Sequence, residues 1–226
     1  MVWPLFRPVA AHALLVEFGD AIADDTHAAV LQLDRSLAET PFSGFREAIP
    51  GFVNLLVDFD PLVTDHTAVE IAVRSLFGKP AAKFEQGNQR EILVCYDETL
   101  APDLVGVAAR TGLSPEAVVN AHLGGDYRVF MFGFAPGYAY LGGVPAEIQL
   151  PRKPTPLRGI AAGSVLIAGP QCIVTTLTLP TGWWIIGRSP TRMLTGEAQR
   201  PVLVDVGDTV VFRRISRADF DAAVRN

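Results

Sequence analysis

The sequence is poor in features that would place it in a membrane, cross-link it or let it bind a metal. No apolar run approaches the roughly 18 residues of a membrane-spanning helix. The two cysteines, Cys95 and Cys172, lie far apart among apolar neighbours, which favours reduced, buried thiols over a disulfide. The four histidines show no pair at metal-ligand spacing, so we expect no metal site. These absences predict a cytoplasmic protein without a membrane partner.

Charged residues are also scarce, at 19%, and the formal net charge is −5. With 49% hydrophobic residues, this balance excludes a disordered chain, and it argues against a basic nucleic-acid binder. The charge is unevenly spread, because residues 127–196 include only one acidic residue, Glu147. The same stretch carries six basic residues: Arg128, Arg152, Lys153, Arg158, Arg188 and Arg192. A locally basic stretch on an acidic protein indicates a site for an anionic ligand.

Strand and helix patterns alternate in the first part of the chain. Apolar runs and helical spacing predict the order β-α-β-β-α, at 12–18, 26–37, 45–49, 54–59 and 67–77. This order predicts a small ferredoxin-like α/β domain, with helices on one face of a sheet. Residues 78–90 lose all periodicity and are the best candidate for a linker.

The second part of the chain is rich in short strands. A strand is predicted at 91–96, a helix at 102–109, and another helix with Ser114 as its N-cap. From residue 121 onward the chain holds 13 of its 20 glycines, a density typical of tight turns and barrel corners. We therefore predict an α+β protein with an α/β domain at 1–85 and a β-barrel domain at 86–226.

The stretch 133–143 mixes four glycines and a proline with three aromatic residues. Glycines permit close approach of the backbone to a ligand, and aromatic rings provide flat apolar walls. Pro136, Gly137, Tyr138 and Tyr140 are therefore candidate substrate-binding residues. A tight barrel corner with its aromatic residues packed inward explains the same spacing equally well.

Residues 151–158 place three cations, Arg152, Lys153 and Arg158, among three prolines. Proline stiffens the segment, and a preorganised guanidinium loses less entropy when it binds a carboxylate or phosphate. Acidic residues are nearly absent nearby in the sequence. This favours an anion site over a solvated loop.

The stretch 180–190 contains adjacent tryptophans, Trp183 and Trp184, which point to opposite faces of a strand. One of them is therefore expected in the core. Arg188 follows at the end of the strand, where either a site residue or a surface turn fits. Gln171 is a weaker candidate for hydrogen bonding to an amide or a nucleobase.

His122 is either a general acid or base, or a residue that ends a helix. The late part of the chain has no carboxylate pair, no Gly-x-Ser-x-Gly elbow and no Gly-Lys-Ser/Thr phosphate loop. The residues alone therefore predict an anion-binding β domain without a complete catalytic set. Such a chain is expected to be a subunit whose partner supplies the missing groups.

Three late stretches together resemble the family of 5-oxoprolinase B subunits, which includes the kinase inhibitor KipI and the first subunit of allophanate hydrolase-type proteins. They are residues 127–145, 150–169 and 182–194. The resemblance extends upstream through 103–122 and back to 13–20 and 44–61, so it covers nearly the whole chain.

The resemblance implies a cyclophilin-like barrel as the second domain and a role in ATP-dependent cleavage of 5-oxo-L-proline to L-glutamate. It also implies a second cyclophilin-like subunit and a lactam-hydrolase subunit as partners, with ATP shared among the subunits. In that setting the catalytic candidates are His122 and Arg188. The candidates for substrate binding are Pro136, Gly137, Tyr138, Tyr140, Arg152, Lys153, Arg158, Gln171 and Trp183.

The chain departs from the family pattern between Gln171 and Trp183. Both of these residues are retained, but the glycine and the tyrosine that the family has between them are replaced. This departure is typical of a divergent member. The alternative functions are a subunit of a urea or allophanate pathway and an inhibitor that binds a histidine kinase.

Overall fold

The computed structural model describes residues 3–77 and 87–225. The chain divides into two compact units, residues 1–86 and 87–226. The boundary predicted between residues 85 and 86 lies outside the described residues, and so does most of the predicted linker. The last residues of that linker, from Gln89, already belong to a strand. Within the described ranges, no helix is long and apolar enough to cross a membrane.

The first unit, over residues 3–77, contains four strands and two helices. They are β1 (Leu5–Val9), β2 (Ala13–Glu17), α1 (Asp24–Glu39), β3 (Phe45–Pro50), β4 (Asn54–Phe59) and α2 (His66–Arg74). The strands form an antiparallel sheet in the order β1-β2-β4-β3. Asp65 begins α2 as its N-cap, because its carboxylate accepts a hydrogen bond from the backbone N–H of Ala68 at 2.9 Å.

Alternating residues of β2 and β4 bury one face of this sheet against both helices. Val30 and Leu37 of α1 and Val69 of α2 share a core with Leu14 of β2 and Val57 of β4. The predicted ferredoxin-like arrangement is not confirmed. The edge strand beside β2 precedes it in the chain as β1, and no strand follows α2 within the described part of this unit.

The second unit, over residues 87–225, contains eleven strands, three α-helices and one 3₁₀ turn at Ala146–Ile148. Its α-helices are α3 (Leu104–Thr111), α4 (Pro115–Leu123) and α5 (Arg217–Arg225). Its strands are β5 (Gln89–Val94), β6 (Tyr127–Phe132), β7 (Ala139–Gly142), β8 (Leu157–Ile160), β9 (Ser164–Ala168), β10 (Gln171–Val174), β11 (Leu179–Thr181), β12 (Trp184–Arg188), β13 (Leu194–Glu197), β14 (Arg200–Val202) and β15 (Thr209–Arg214).

Local signals in the sequence account for the start of α4. The hydroxyl of Ser114 accepts a hydrogen bond from the N–H of Ala117 at 3.1 Å, and Pro115 stands in the first turn. The N-cap predicted at Ser114 is therefore confirmed.

Seven strands form a nearly closed, barrel-like sheet in the order β12-β9-β10-β7-β6-β15-β5. Cys95 and Arg188 join its two edges by exchanging backbone hydrogen bonds of 2.8 and 2.9 Å. Gly187 lies at this junction, where an added Cβ would come within 2.8 Å of a methyl group of Val94. Glycine is required there because the two edges approach so closely.

The two faces of this sheet bury different side chains. The inner core receives residues from all seven strands and from α3 and α4, including Ile167 and Trp184. A smaller outer cluster contains Leu166 and Trp183, the neighbours of those residues along the chain. The two tryptophans thus point to opposite faces as predicted, but both are buried, at 5% and 7% exposure.

His122 lies wholly inside the inner core. Its Nδ1 is 2.7 Å from the hydroxyl of Tyr96, its Nε2 is 3.5 Å from Sγ of Cys172, and its ring packs against Tyr127 and Phe212. Burial lowers the pKa of His122 from 6.5 to about 3 and raises the pKa of Cys172. The expected role of His122 as a proton carrier conflicts with this position, because a neutral imidazole sealed in a core reaches no substrate.

Lys153 is also held in a structural contact. Its ammonium lies 2.5 Å from Oδ2 of Asp103, and both side chains are largely buried. The same carboxylate oxygen accepts a hydrogen bond from the N–H of Ile185 at 2.8 Å, which ties the start of α3 to β12. The expectation that the cations of 151–158 lack a nearby carboxylate is therefore wrong for Lys153, because Asp103 is distant in sequence but adjacent in space.

We predict that His122 makes the second unit sensitive to acid. The unfolded chain protonates this residue near pH 6.5, whereas the folded protein does so only near pH 3. The stabilisation is therefore complete above pH 6.5 and is lost as the pH falls toward 3, by about 1.4 kcal/mol per pH unit. Urea unfolding followed by tryptophan fluorescence at pH 7.5 and 4.5 should show this loss, and His122→Gln should remove part of it.

The control for this experiment is His12→Gln, which changes an exposed histidine of the first unit. It should leave the pH dependence of the second unit unchanged. The assignment to His122 fails if the wild-type protein and His122→Gln lose the same free energy between the two pH values.

We also predict that Asp103→Ala lowers the free energy of unfolding by about 3 kcal/mol, since it leaves an ammonium and a backbone N–H without their partner. The double variant Asp103→Ala/Lys153→Met should recover part of this loss, because no buried charge remains. Glu91→Ala breaks the exposed pair with Arg213 and should cost less than about 1 kcal/mol. Chemical denaturation measures all three, and equal losses in Asp103→Ala and Glu91→Ala would contradict the structural role.

Candidate functional site

Residues 133–138 of the glycine-rich stretch form the tight connection between β6 and β7, and the rest of the stretch contains β7 itself. The N–H of Gly133 donates to the carbonyl of Tyr138, and the N–H of Tyr138 donates to the carbonyl of Ala135. Gly137 has a φ of +67°, and an added Cβ would contact the side chain of Leu194 at 2.5 Å. The stretch therefore forms a barrel corner. The geometry of this turn sets the positions of its aromatic side chains.

Three of these aromatic residues and Trp183 form one chain of ring contacts, which we call the aromatic cluster: Phe134, Tyr138, Tyr140 and Trp183. Successive ring centroids lie 5.5, 5.6 and 6.1 Å apart. Tyr138 and Trp183 are buried, whereas Phe134 is 73% exposed. The cluster therefore has a packed base on the outer side of the barrel and an aromatic edge in solvent.

Arg152 adds a positive charge to the aromatic cluster. Its guanidinium carbon lies 5.4 Å from the ring centroid of Trp183, within the range of a cation–π contact. The backbone beside it is fixed, because the indole N–H of Trp184 donates to the carbonyl of Pro151 at 2.8 Å and Lys153 N–H donates to the carbonyl of Gly182. Arg152 is exposed, and no carboxylate of a described residue forms an ion pair with it. Its charge is therefore available to a ligand.

The phenols of the cluster stay protonated at neutral pH. Burial raises the pKa of Tyr138 to about 12, where the nearby Tyr140 adds to the rise and Arg152 opposes it. Burial also raises the pKa of Tyr140, again against the effect of Arg152. Both hydroxyl groups are therefore neutral and able to donate hydrogen bonds.

The other predicted site residues lie at separate places. Arg158 is exposed on β8, and Gln171 begins β10 beside Gly142 of β7. Arg188 joins the barrel edges through its backbone, and its Nε donates to the carbonyl of Ala162 at 3.3 Å. Three residue steps of strand, or roughly 10 Å, separate Gln171 from Val174 at the other end of β10. The structure thus brings together Tyr138, Tyr140, Trp183 and Arg152, and it leaves Gln171 outside this group.

Two residues that matter at this site were not identified from the sequence. Phe134 is one of several residues in the glycine-rich stretch, yet it is the exposed end of the aromatic cluster. Asp103 neutralises Lys153 from the start of α3, and no sequence pattern links these two positions. Among residues 3–77 and 87–225, no group of three His, Cys, Asp or Glu side chains is placed to hold a metal ion.

Comparisons with known proteins agree with this architecture. The family described as carboxyltransferase domain, subdomain C and D, matches residues 4–204. The chain is 37% identical to the 5-oxoprolinase B subunit of Bacillus subtilis over 93% of this chain and 92% of that protein. It is 33% identical to the 5-oxoprolinase B subunit of Escherichia coli O157:H7, over 88% of this chain and 91% of that one.

Solved structures show the same fold. The crystal structure of TTHA0988 superimposes with a TM-score of 0.79 at 30% identity, over 93% of this chain. This chain spans only 40% of that longer one. The K. lactis urea amidolyase gives a TM-score of 0.79 at 14% identity, over 97% of this chain and 15% of the enzyme, and supports the fold alone.

The resemblance that the three late motifs indicate is thus confirmed over nearly the whole chain. By the extent of the family match and the identity to its relatives, the chain belongs to the family of carboxyltransferase domains, subdomain C and D.

Proposed function

We propose that this chain is the B subunit of an ATP-dependent 5-oxoprolinase complex that cleaves 5-oxo-L-proline to L-glutamate. Two relatives that match most of its length are named as the B subunit of 5-oxoprolinase. The structural observation that supports the proposal is the aromatic cluster with an unneutralised Arg152 above Trp183. This surface suits a small ring that bears a carboxylate.

The substrate has two recognisable parts. Its carboxylate would pair with the guanidinium of Arg152, which presents a planar fork of N–H donors. Its flat lactam ring would lie against the aromatic edge at Phe134 and Tyr140, where apolar faces exclude water.

The reaction needs activation because a lactam is a stable amide with a poor amine leaving group. Transfer of the terminal phosphoryl group of ATP to the lactam oxygen forms a C–O–P linkage. Addition of water to that carbon, cleavage of the ring C–N bond and release of the phosphate then give glutamate, ADP and phosphate. In this chain the proposed task is to bind the substrate and stabilise negative charge, not to transfer protons.

A partner must supply the acid and base groups. Neither Asp nor Glu forms part of the aromatic cluster or pairs with Arg152 in the described residues, and His122 is sealed in the inner core. We propose that a second cyclophilin-like barrel subunit and a lactam-hydrolase subunit complete the site and that ATP is held jointly with them. This division of groups explains why one chain offers cations and aromatic rings without a carboxylate.

We predict that hydrolysis of ATP stimulated by 5-oxoproline requires this chain. The complete complex, reconstituted from purified subunits, should release phosphate and glutamate in equal amounts. Omission of this chain should abolish the dependence on 5-oxoproline. A complete complex without such turnover would refute the proposal, and co-purification would then decide the alternatives. A biotin-carrying partner supports a urea or allophanate pathway, and a histidine kinase supports an inhibitor.

We further predict that Arg152→Ala lowers kcat/KM for 5-oxoproline about 10- to 100-fold, as expected for a lost charge-assisted hydrogen bond. Arg152→Lys should restore only part of the activity, because an ammonium lacks the planar fork. The matched control is Arg213→Ala, an exposed arginine on β15 that pairs with Glu91. A wild-type kcat/KM in Arg152→Ala would exclude Arg152 from the substrate site. It would not refute the proposed function of the complex, which the omission experiment tests separately.

A further inference from the structure

A pocket of about 270 Å³ lies where β12 ends, and it shares no residue with the aromatic cluster. Its described lining includes two arginines and no acidic residue. We call it the arginine pocket and define it by Arg188, Arg192, Thr176, Ser189 and Thr191, with Phe220 of α5 on its apolar side. The function proposed above makes no use of this pocket.

Arg188 is held in place by its backbone and by one atom of its side chain. Its backbone N–H and carbonyl pair with Cys95, and the next N–H, that of Ser189, donates to the carbonyl of Gly163 at 2.7 Å. Its Nε donates to the carbonyl of Ala162 at 3.3 Å. The two terminal nitrogens of the guanidinium donate to no acceptor among the described residues. The side chain is thus anchored at Nε and presents its remaining donors to the pocket.

Two hydroxyl groups in the lining can each donate a further hydrogen bond. Ser189 Oγ accepts the N–H of Thr191 at 3.0 Å, and Thr191 Oγ1 accepts the N–H of Leu93 at 3.1 Å. Each oxygen therefore already accepts one hydrogen bond, while its own hydrogen meets no acceptor in the described part of the chain. Hydroxyl hydrogens in this state are suited to an anion with several oxygens.

The charge and size of the pocket narrow the class of ligand. The charges of Arg188 and Arg192 match a phosphate group, which carries close to two negative charges at neutral pH. A carboxylate carries one and would leave a positive charge uncompensated. A volume of about 270 Å³ is near the lower end for ligand pockets, so it admits a phosphate group but not a whole nucleotide.

We infer that the arginine pocket is a phosphate-binding site, in which Arg188 and Arg192 bind the phosphate oxygens and the hydroxyls of Ser189 and Thr191 donate to them. The phosphate belongs either to free inorganic phosphate or to the end of a nucleotide that extends into solvent. This inference does not rest on the proposed function, because the chain can bind phosphate whether or not it takes part in 5-oxoproline cleavage.

Calorimetric titration of the full chain with inorganic phosphate at pH 7.5 tests the inference, with ionic strength held constant by NaCl. We expect saturable binding of one phosphate per chain, and no saturable binding of acetate at the same concentrations. Arg188→Gln and Arg192→Gln should each weaken phosphate binding at least tenfold, and Arg213→Gln should not change it. Because Arg188 lies at the barrel junction, circular dichroism must show that its variant is folded; Arg192 is exposed and gives an independent test.

A second titration distinguishes the two sources of phosphate. Displacement of bound phosphate by ADP supports a nucleotide phosphate, and failure of ADP to compete supports free phosphate; either result is consistent with the site. Absence of saturable phosphate binding, equal affinity for acetate, or full affinity in both arginine variants would overturn the inference. None of these results depends on turnover of 5-oxoproline, so failure here and failure of the proposed function are distinguishable.

Discussion

Cys95 and Arg188 exchange two backbone hydrogen bonds across the gap between the edge strands of the seven-stranded sheet. This pairing turns an open sheet, with two exposed edges, into a nearly closed barrel. Close approach at the junction requires a residue without a side chain, which Gly187 provides beside Val94. The same junction fixes the backbone of Arg188, so that a residue needed to close the barrel also places a guanidinium at the barrel rim.

Closure gives the sheet an inside and an outside, and successive residues of one strand serve different purposes. On β9, Ile167 enters the inner core and Leu166 joins the outer cluster. The inner core also takes in the polar groups of Tyr96, His122 and Cys172, which satisfy one another and remain uncharged. The polar groups of the inner core are therefore out of reach of a ligand, and only the outer face and the rim are accessible to one.

Local patterns predicted the elements well, and contacts between distant residues escaped prediction. The N-cap at Ser114 and the opposite faces of Trp183 and Trp184 follow from short-range geometry that sequence displays directly. The role of Lys153 could not be predicted, because its partner Asp103 stands on another element. The burial of His122 could not be predicted for the same reason, because the rings of Tyr96, Tyr127 and Phe212 that enclose it stand on separate elements.

The neighbours Arg152 and Lys153 show how the structure gives two cations of one basic stretch different surroundings. Lys153 turns inward and is neutralised, which costs desolvation but joins α3 to β12. This contact and that of Pro151 with Trp184 hold the backbone on either side of Arg152, so its guanidinium stands over Trp183 without ordering a flexible loop. An anion that bound Arg152 would therefore have to order less of the protein than one that bound a side chain on a flexible loop. The buried ion pair thus contributes rigidity of the backbone beside Arg152 and not a charge that a ligand could reach.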